Sequence, residues 1–348
     1  MEKKSKWLSA SRIKTLEDCS WTYWCKYHLK LPDTTNAGAL RGTLCHAVFE
    51  WLLQDKHKGH YKMIIGADHI TGSPAINRIV KAYLKKHALT NQEEYDCVND
   101  MILVGLKNDF YVTGKKLFDP EYKFSIENNE PEYNAMGFID KWAMDEDNKE
   151  IHVIDYKSSK SKFSGSELEA NIQAMLYSVA AKKVHPDYIP IVTFVFLKFK
   201  KTPMQTVQFD QKTLEGFEMY LEDCQKKIDN FNYQDATHNF AADKKPKGSG
   251  FNGHLLCGFA KQPGQLKKDG TPMWHCPFKF NFNYYVLLDE QNKVVSSIKE
   301  TPTHLATHSR DKAPTEFQNS LDENEGWRFE RREYFGCPRW NKITKESF

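Results

Sequence analysis

Two aspartates and a lysine, Asp140, Asp155 and Lys157, stand at the ends of two short apolar runs. Asp140 follows Met136-Gly137-Phe138-Ile139, Asp155-Tyr156-Lys157 follows Ile151-His152-Val153-Ile154, and Asp147-Asn148-Lys149 lies between them in the position of a turn. Apolar runs of this length joined by turn residues read as a β-hairpin, which would set the two carboxylates side by side. Paired carboxylates form a hard-oxygen site suited to Mg²⁺ or Mn²⁺. Lys157, two residues beyond Asp155, projects from the same strand face, and a cation there could position or activate water. A bare D-x-K also arises often as a solvated turn with incidental charges, so the weight falls on the rest of the chain.

The elements that would hold these groups can be placed around them. Arg41 to Leu53 reads as a glycine-led loop entering an amphipathic helix, with Leu44, Val48, Trp51 and Leu52 on one stripe and His46 in the first turn. Leu168 to Val184 reads as a second helix on which Gln173 and Tyr177, four residues apart, share a face. Ile191 to Leu197 gives a buried strand, and Phe124-Ser125-Ile126-Glu127 an earlier one, with Glu127 the expected supporting acid and Glu130 and Glu132 as competitors.

That order of residues resembles the RecB-like exonuclease branch of the PD-(D/E)XK nuclease superfamily. Its G-x-x-x-H, G-x-x-D, D/E-x-K and Q-x-x-x-Y signatures stand here as Gly42 to His46, Gly137 to Asp140, Asp155 to Lys157 and Gln173 to Tyr177. The opening Leu8 to Ile13 and Leu16 to Cys19 add to the likeness, which covers roughly residues 7 to 200. It implies an α/β restriction-endonuclease-like core with a mixed central sheet flanked by helices, carrying helical N- and C-terminal extensions. It implies a metal held by His46, Asp140, Asp155 and the Tyr156 carbonyl, with Lys157 orienting the attacking water. Gln173 and Tyr177 would hydrogen-bond the backbone or the Lys157 strand. The chemistry would be phosphodiester hydrolysis on DNA, with linear or single-stranded ends as substrate and recombination or replication proteins as partners. The domain expectation is a nuclease domain over 1–240 with a helical insertion near 60–115, a linker at 241–253, and a C-terminal extension over 254–348 packing back on the first helix.

The resemblance also bears on the eight cysteines. Several relatives of this type carry a 4Fe-4S cluster with one ligand ahead of the nuclease core, where Cys19 stands here. Cys276 looks like the middle of a trailing C-x2-C-x5-C trio, but Met273 and Phe282 occupy the flanking places. Cys257 and Cys337 could supply sulfur from elsewhere. Two other readings stay open: zinc on three cysteines with His254 or His275, and ordinary buried thiols. Cys25, Cys45, Cys97 and Cys224 have no ligand-like grouping.

Composition sets the frame. At 348 residues with 40% hydrophobic residues the chain can bury a substantial core in one elaborated domain or two. No apolar run approaches the length of a membrane span and no apolar stretch follows the basic start, so a cytoplasmic enzyme is expected, in the host cytoplasm if phage-encoded. A net charge of +3 is too mild to specify a nucleic-acid partner. Local runs such as Lys198-Lys200-Lys201, Lys244-Lys245-Lys247 and Arg328-Arg331-Arg332 are compatible with phosphate contacts, and Trp327, Phe329 and Trp340 beside them with base stacking or with core packing. Gly248 to Gly253 satisfies G-x-G-x-x-G formally but lacks the strand and helix that dinucleotide binding needs, and no phosphate-binding GK[ST] loop is present. Two rival classes share these features: a structure-selective or flap endonuclease, and a non-catalytic DNA-binding assembly subunit.

Overall fold

The computed structural model describes residues 6–33, 36–244, 256–300 and 313–341. In chain order the helices are α1 (Ala10–Asp18), α2 (Ser20–Tyr23), α3 (Ala37–Leu53), α4 (Lys58–Ala67), α5 (Pro74–Lys86), α6 (Gln92–Lys107), α7 (Ile172–Val184), α8 (Gln211–Asn230), α9 (Tyr233–Ala236) and α10 (Thr315–Glu323). The strands are β1 (Lys116–Leu117), β2 (Tyr122–Asn129), β3 (Glu132–Ile139), β4 (Lys141–Asp145), β5 (Glu150–Lys157), β6 (Ile189–Phe196), β7 (Met204–Val207), β8 (Phe282–Leu288), β9 (Val294–Lys299) and β10 (Arg328–Tyr334). They divide into two compact units, residues 1–11 with 35–229 and residues 12–34 with 230–348.

The first unit is built on a five-stranded sheet of order β1-β4-β5-β6-β7. Only β5 and β6 run parallel, and the α7 crossover between them is what a parallel pair requires. Ile151, Val153, Ile154, Asp155 and Tyr156 are all buried, as befits a central strand covered on both faces. The helical insertion α4–α6 packs with α3 through Leu44, Val48, Phe49, Ile64, Val80 and Ile102, joined by Tyr156 from the sheet.

The hairpin forms, but not from the strands the apolar runs suggested. β5 pairs with β4, whereas the Met136–Ile139 run belongs to β3, which pairs with β2 in a separate two-stranded ribbon. Asp140 is the single residue between β3 and β4. Tyr122 opposes Ile139 and Lys141 opposes Ile154. Continuing each register by one residue sets Asp140 opposite Glu121 on one side and Asp155 on the other, so the break in the strand aligns three acids.

Two helix starts also differ from the sequence expectation, for local reasons. α3 begins at Ala37 because the Asn36 side chain accepts the Ala39 N–H at 3.0 Å, an N-cap bond. His46 therefore lies in the third turn and Gly42 is inside the helix. A Cβ at Gly42 would meet Ser158 Oγ at 2.7 Å, so the glycine admits the segment that follows Lys157. α7 begins at Ile172 rather than Leu168, with the Asn171 side chain capping Ala174 N–H at 3.0 Å.

The second unit holds a three-stranded sheet, β10-β8-β9, with Phe317 of α10 packed on Tyr285 and Leu287. Residues 12–34 belong to it: Trp21 Nε1 donates to the Tyr334 hydroxyl at 2.8 Å, which itself donates to the Phe278 carbonyl at 2.9 Å. Of the expected linker, residues 241–243 form a 3₁₀ turn, while 245–253 lie outside the described residues. Among the described residues no helix is long and apolar enough to cross a membrane.

Lys141 places a charge in the first core. It is 2% exposed, its Nζ donates to the Phe110 carbonyl at 2.9 Å, and the Phe110 and Tyr156 rings lie 5.0 and 5.3 Å from it. Burial pushes this ammonium down to about 7, against the opposing pull of Asp109 and Asp140. At this residue the unfolded chain holds more protons than the folded one between pH about 7 and the ordinary lysine value of about 10.4, so the contribution of Lys141 to stability should rise with pH across that window. Urea unfolding of Lys141→Met at pH 6.5 and 9.5 should show that rise flattened; slopes parallel to those of the unsubstituted protein would remove Lys141 as its source.

Candidate active site

The site lies in the first unit, where α3, β3–β4, β5 and α7 meet. Asp155 is 2% exposed at the buried end of β5. Its Oδ1 accepts from Gln173 Nε2 at 2.9 Å and from the Tyr177 hydroxyl at 3.2 Å, and Lys157 Nζ stands 2.7 Å from its Oδ2. That ammonium lies off the hydrogen-bond directions, so Oδ2 is buried without a hydrogen-bond donor. Burial raises the Asp155 carboxyl, the Lys157 charge lowers it, and Asp140 raises it again. Gln173 ties the pair together: its Oε1 accepts from Lys157 Nζ at 2.6 Å while its amide also donates to the Tyr177 hydroxyl at 2.7 Å. Tyr177 further donates to the Phe138 carbonyl at 2.8 Å, fastening α7 to β3 just ahead of Asp140. The one-turn spacing of Gln173 and Tyr177 is what lets both reach the same carboxylate.

Asp140 accepts the Tyr156 N–H at 2.9 Å through Oδ2, and its Oδ1 is 3.3 Å from His46 Nδ1. His46 Nε2 donates to the Tyr156 carbonyl at 2.9 Å. Both ring nitrogens thus face acceptors. Burial alone would lower the imidazole, but the hydrogen bond and charge of Asp140, with Asp155 and the Tyr156 carbonyl, raise it to about 9. The side chain of Tyr156 points the other way, against Phe49 with ring centroids 4.3 Å apart, so one residue gives its backbone to the site and its ring to the core.

Glu121, which the sequence does not single out, stands beside Asp140. Glu127, the expected candidate, is exposed on β2. Glu121 precedes β2 at φ +52°, and its N–H donates to the Asp140 carbonyl at 3.2 Å. His46, Glu121 and Asp140 each offer a ligand atom within 4.8 Å of the others, and with Glu50 they line a cavity of about 540 Å³. Burial and then Asp140 raise the Glu121 carboxyl. The signal was available in the alternation of Tyr122 to Ile126, which places Glu121 at the mouth of the strand, but its value depends on a pairing register that one strand does not disclose.

The residues fit a divalent cation. Close oxygens from two or three carboxylates, one imidazole, one backbone carbonyl and a donor-less buried Oδ2 form the mixed oxygen and nitrogen set that Mg²⁺ or Mn²⁺ accepts. A second close group, Asp145, Glu150 and His152, is less suited, because Lys115 Nζ already neutralises Asp145 at 2.7 Å.

In the second unit, Cys19, Cys257, Cys276 and Cys337 all line one cavity of about 230 Å³. A bridge between Gly258 and His275, with Cys276 N–H donating to the Cys257 carbonyl at 3.0 Å, brings two of them together. Gly258 is required there: at φ +72° a Cβ would meet the Trp274 carbonyl oxygen at 2.2 Å. Burial pushes the Cys276 thiol up to about 11 and raises those of Cys257 and Cys337. A tetrahedral zinc would hold its sulfurs roughly 3.8 Å apart, from Zn–S bonds of about 2.3 Å. Among the described residues no three of these sulfurs fall within 4.8 Å of one another, so they are not drawn together as a preformed zinc site would require. His275 Nδ1 is 3.3 Å from the Met273 carbonyl, and His254 lies outside the described residues. Cys25 lies fully buried beside the Tyr334 hydroxyl at 3.5 Å.

The basic runs are largely paired. Lys200 meets Asp100, Arg331 meets Glu300, and Arg328 and Arg332 both meet Glu330. Trp327 and Phe329 pack on the Tyr285, Leu287 and Phe317 core. Lys245 and Lys247 lie outside the described residues.

Residues 7–257 match the PD-(D/E)XK nuclease superfamily. No curated protein matches. A crystal structure of an inferred exonuclease from Eubacterium rectale superposes with a TM-score of 0.42 at 9% identity, covering 64% of this chain and 81% of that one, a likeness too slight to carry an argument.

Two outcomes test the site. With a folded value near 9 against the ordinary value of about 6.5, protonated His46 stabilises the metal-free fold below pH 6.5, and that contribution is lost as pH rises through about 9. Cation binding between these values should therefore expel about one proton, measured by Mn²⁺ calorimetry in buffers of different ionisation heat. His46→Gln should abolish that release; if it persists, the proton comes from elsewhere. Glu121→Gln should weaken Mn²⁺ binding roughly 10-fold or more, and unchanged affinity would exclude Glu121 from the site.

Proposed function

The chain belongs to the PD-(D/E)XK nuclease superfamily, and from that premise we propose that it is a divalent-metal-dependent deoxyribonuclease that hydrolyses phosphodiester bonds at DNA ends. The observation that carries this reading is the intact set of Asp140, Asp155 and Lys157 joined by Gln173, Tyr177, His46 and Glu121 in one half-buried network around the buried Asp155. A non-catalytic subunit has no chemical need for a buried carboxylate beside a lysine.

His46, Asp140, Asp155 and the Tyr156 carbonyl, supported by Glu121, are the residues that would hold the cation. A divalent ion supplies a Lewis acid for the phosphoryl oxygen and lowers the pKa of bound water, so no covalent nucleophile is needed. Lys157 supplies a fixed ammonium for the attacking water and the phosphate. Gln173 and Tyr177 act through it and through Asp155, holding both in place by the bonds described above. End dependence is supported by the resemblance of the four signatures to the RecB-like branch; the biological setting would be recombination, repair or DNA degradation. The four cysteines support a 4Fe-4S cluster in the second unit, remote in sequence from the acids and structural in role.

Incubation with end-labelled linear DNA and circular single strands, with Mg²⁺, Mn²⁺ or chelator, tests class and metal dependence together. Linear DNA should be degraded from its ends and circles spared; cleaved circles would identify an endonuclease with the same site. Asp140→Ala and Asp155→Ala should abolish cleavage, and Lys157→Ala should reduce it by roughly two to three orders of magnitude. Wild-type rates in any of these with Mg²⁺ would defeat the assignment. Protein purified without oxygen should be brown and contain iron; colourless, iron-free protein would leave the cysteines as buried thiols.

A further inference from the structure

Lys279 is a buried cation that the nuclease chemistry does not use. It is 5% exposed and lines the same cavity as Cys19, Cys257, Cys276 and Cys337. Its Nζ donates to the Gly258 carbonyl at 2.9 Å and lies 4.2 Å from the Trp340 ring centroid. Its backbone joins two of the cysteines: Lys279 N–H donates to the Cys276 carbonyl at 3.0 Å, and its own carbonyl accepts the Cys337 N–H at 3.3 Å. Asn341 Nδ2 holds that same carbonyl at 2.9 Å. Among the described residues no carboxylate lies within ion-pairing distance of the ammonium. A buried ammonium with one neutral carbonyl and an aromatic face is poorly compensated, and such charges persist where a counter-ion belongs. Asp18 and Asp33 also line the cavity, but the groups able to become negative that act on the Lys279 charge are Cys257, Cys276 and Cys337.

We propose that Lys279 is the built-in counter-charge of the four-cysteine site, which therefore takes an anionic, thiolate-ligated iron–sulfur cluster. The inference rests on the cluster reading given above. Each cysteine surrenders its proton on ligation, and four thiolates outweigh the positive charge of the cluster core, leaving a net negative group in a cavity whose buried cation is already in place. Lys279 is a positioning residue in this scheme: it ligates nothing, it stabilises the loaded state, and a positive charge at this place raises the cluster's reduction potential. Its present contacts supply a rigid mount, with the Trp340 ring on one side and the Gly258 carbonyl on the other.

The test compares full-length wild type, Lys279→Met and Lys279→Gln, each reconstituted without oxygen with iron and sulfide. The readouts are iron content, melting of the metal-free and loaded forms, release of iron to a chelator, and midpoint potential. In the metal-free form the Met variant should melt no lower than wild type, because an uncompensated charge has been removed. In the loaded form it should release iron roughly 10-fold faster or more, the scale of loss typical for a partner beyond the ligands, and show a lower potential. Should the Met variant fail to fold, Lys279→Gln, which keeps a donor for Gly258 without the charge, carries the same comparison. An equal drop in both melts, or unchanged release and potential, overturns the counter-charge role alone. A wild-type protein that takes up no iron overturns the cluster reading and this inference with it.

Discussion

A carboxylate kept at 2% exposure sets the terms for the nuclease unit. An isolated charge at the Asp155 depth costs roughly several kcal/mol, and the fold meets that cost with an amide and a phenol hydrogen-bonded to Oδ1 and an ammonium 2.7 Å from Oδ2. The ammonium comes from the end of β5 and the two hydrogen-bond donors from one face of α7, so the crossover helix cannot slide by even one residue along its axis without losing those two bonds. The Asn171 cap fixes where that helix starts, and Tyr177 fixes it again to the Phe138 carbonyl. Compensation remains incomplete at Oδ2, the kind of local deficit that functional sites retain.

The second unit solves an inverted problem. Burial raises the thiols of Cys257, Cys276 and Cys337 there, and the unmatched charge beside them is the positive one of Lys279. One unit thus presents negative groups toward a cation, and the other a cation among groups that can turn negative. The two cavities call for opposite partners from a chain whose overall charge is nearly balanced.

Much of the first arrangement was legible in the sequence because it is carried by residue type and short spacing. Asp155 and Lys157 share a strand face, Gln173 and Tyr177 share a helix face, and both spacings follow from backbone periodicity alone. What the sequence did not disclose depended on pairing. Ile139 and Lys141 look like one strand interrupted by Asp140, yet they join different sheets, and only the two registers reveal Glu121 beside Asp140. The start of α3 was misread because Gly42 resembles a loop residue; its role, clearance for Ser158, depends on a segment more than one hundred residues later. The cysteine spacing departs from the familiar trio for a comparable reason. Cys257 and Cys276 become neighbours through the bridge between Gly258 and His275, with eighteen residues between the two cysteines, and local spacing carries no record of it.

The interleaving of the two units has a consequence for how the chain folds. The hydrogen bond from Trp21 to Tyr334 spans 313 residues, whereas every element of the nuclease sheet lies between them. During synthesis, Trp21, Tyr23 and Trp24 leave the ribosome long before their partners Phe231, Tyr233 and Tyr334 exist, so an aromatic segment waits exposed while the first unit assembles. Its late capture closes a very large loop, and because closure entropy grows only logarithmically with length, the burden falls on rate more than on final stability. The slowest and most aggregation-prone stage of folding is therefore expected at the small sheet, not at the nuclease core.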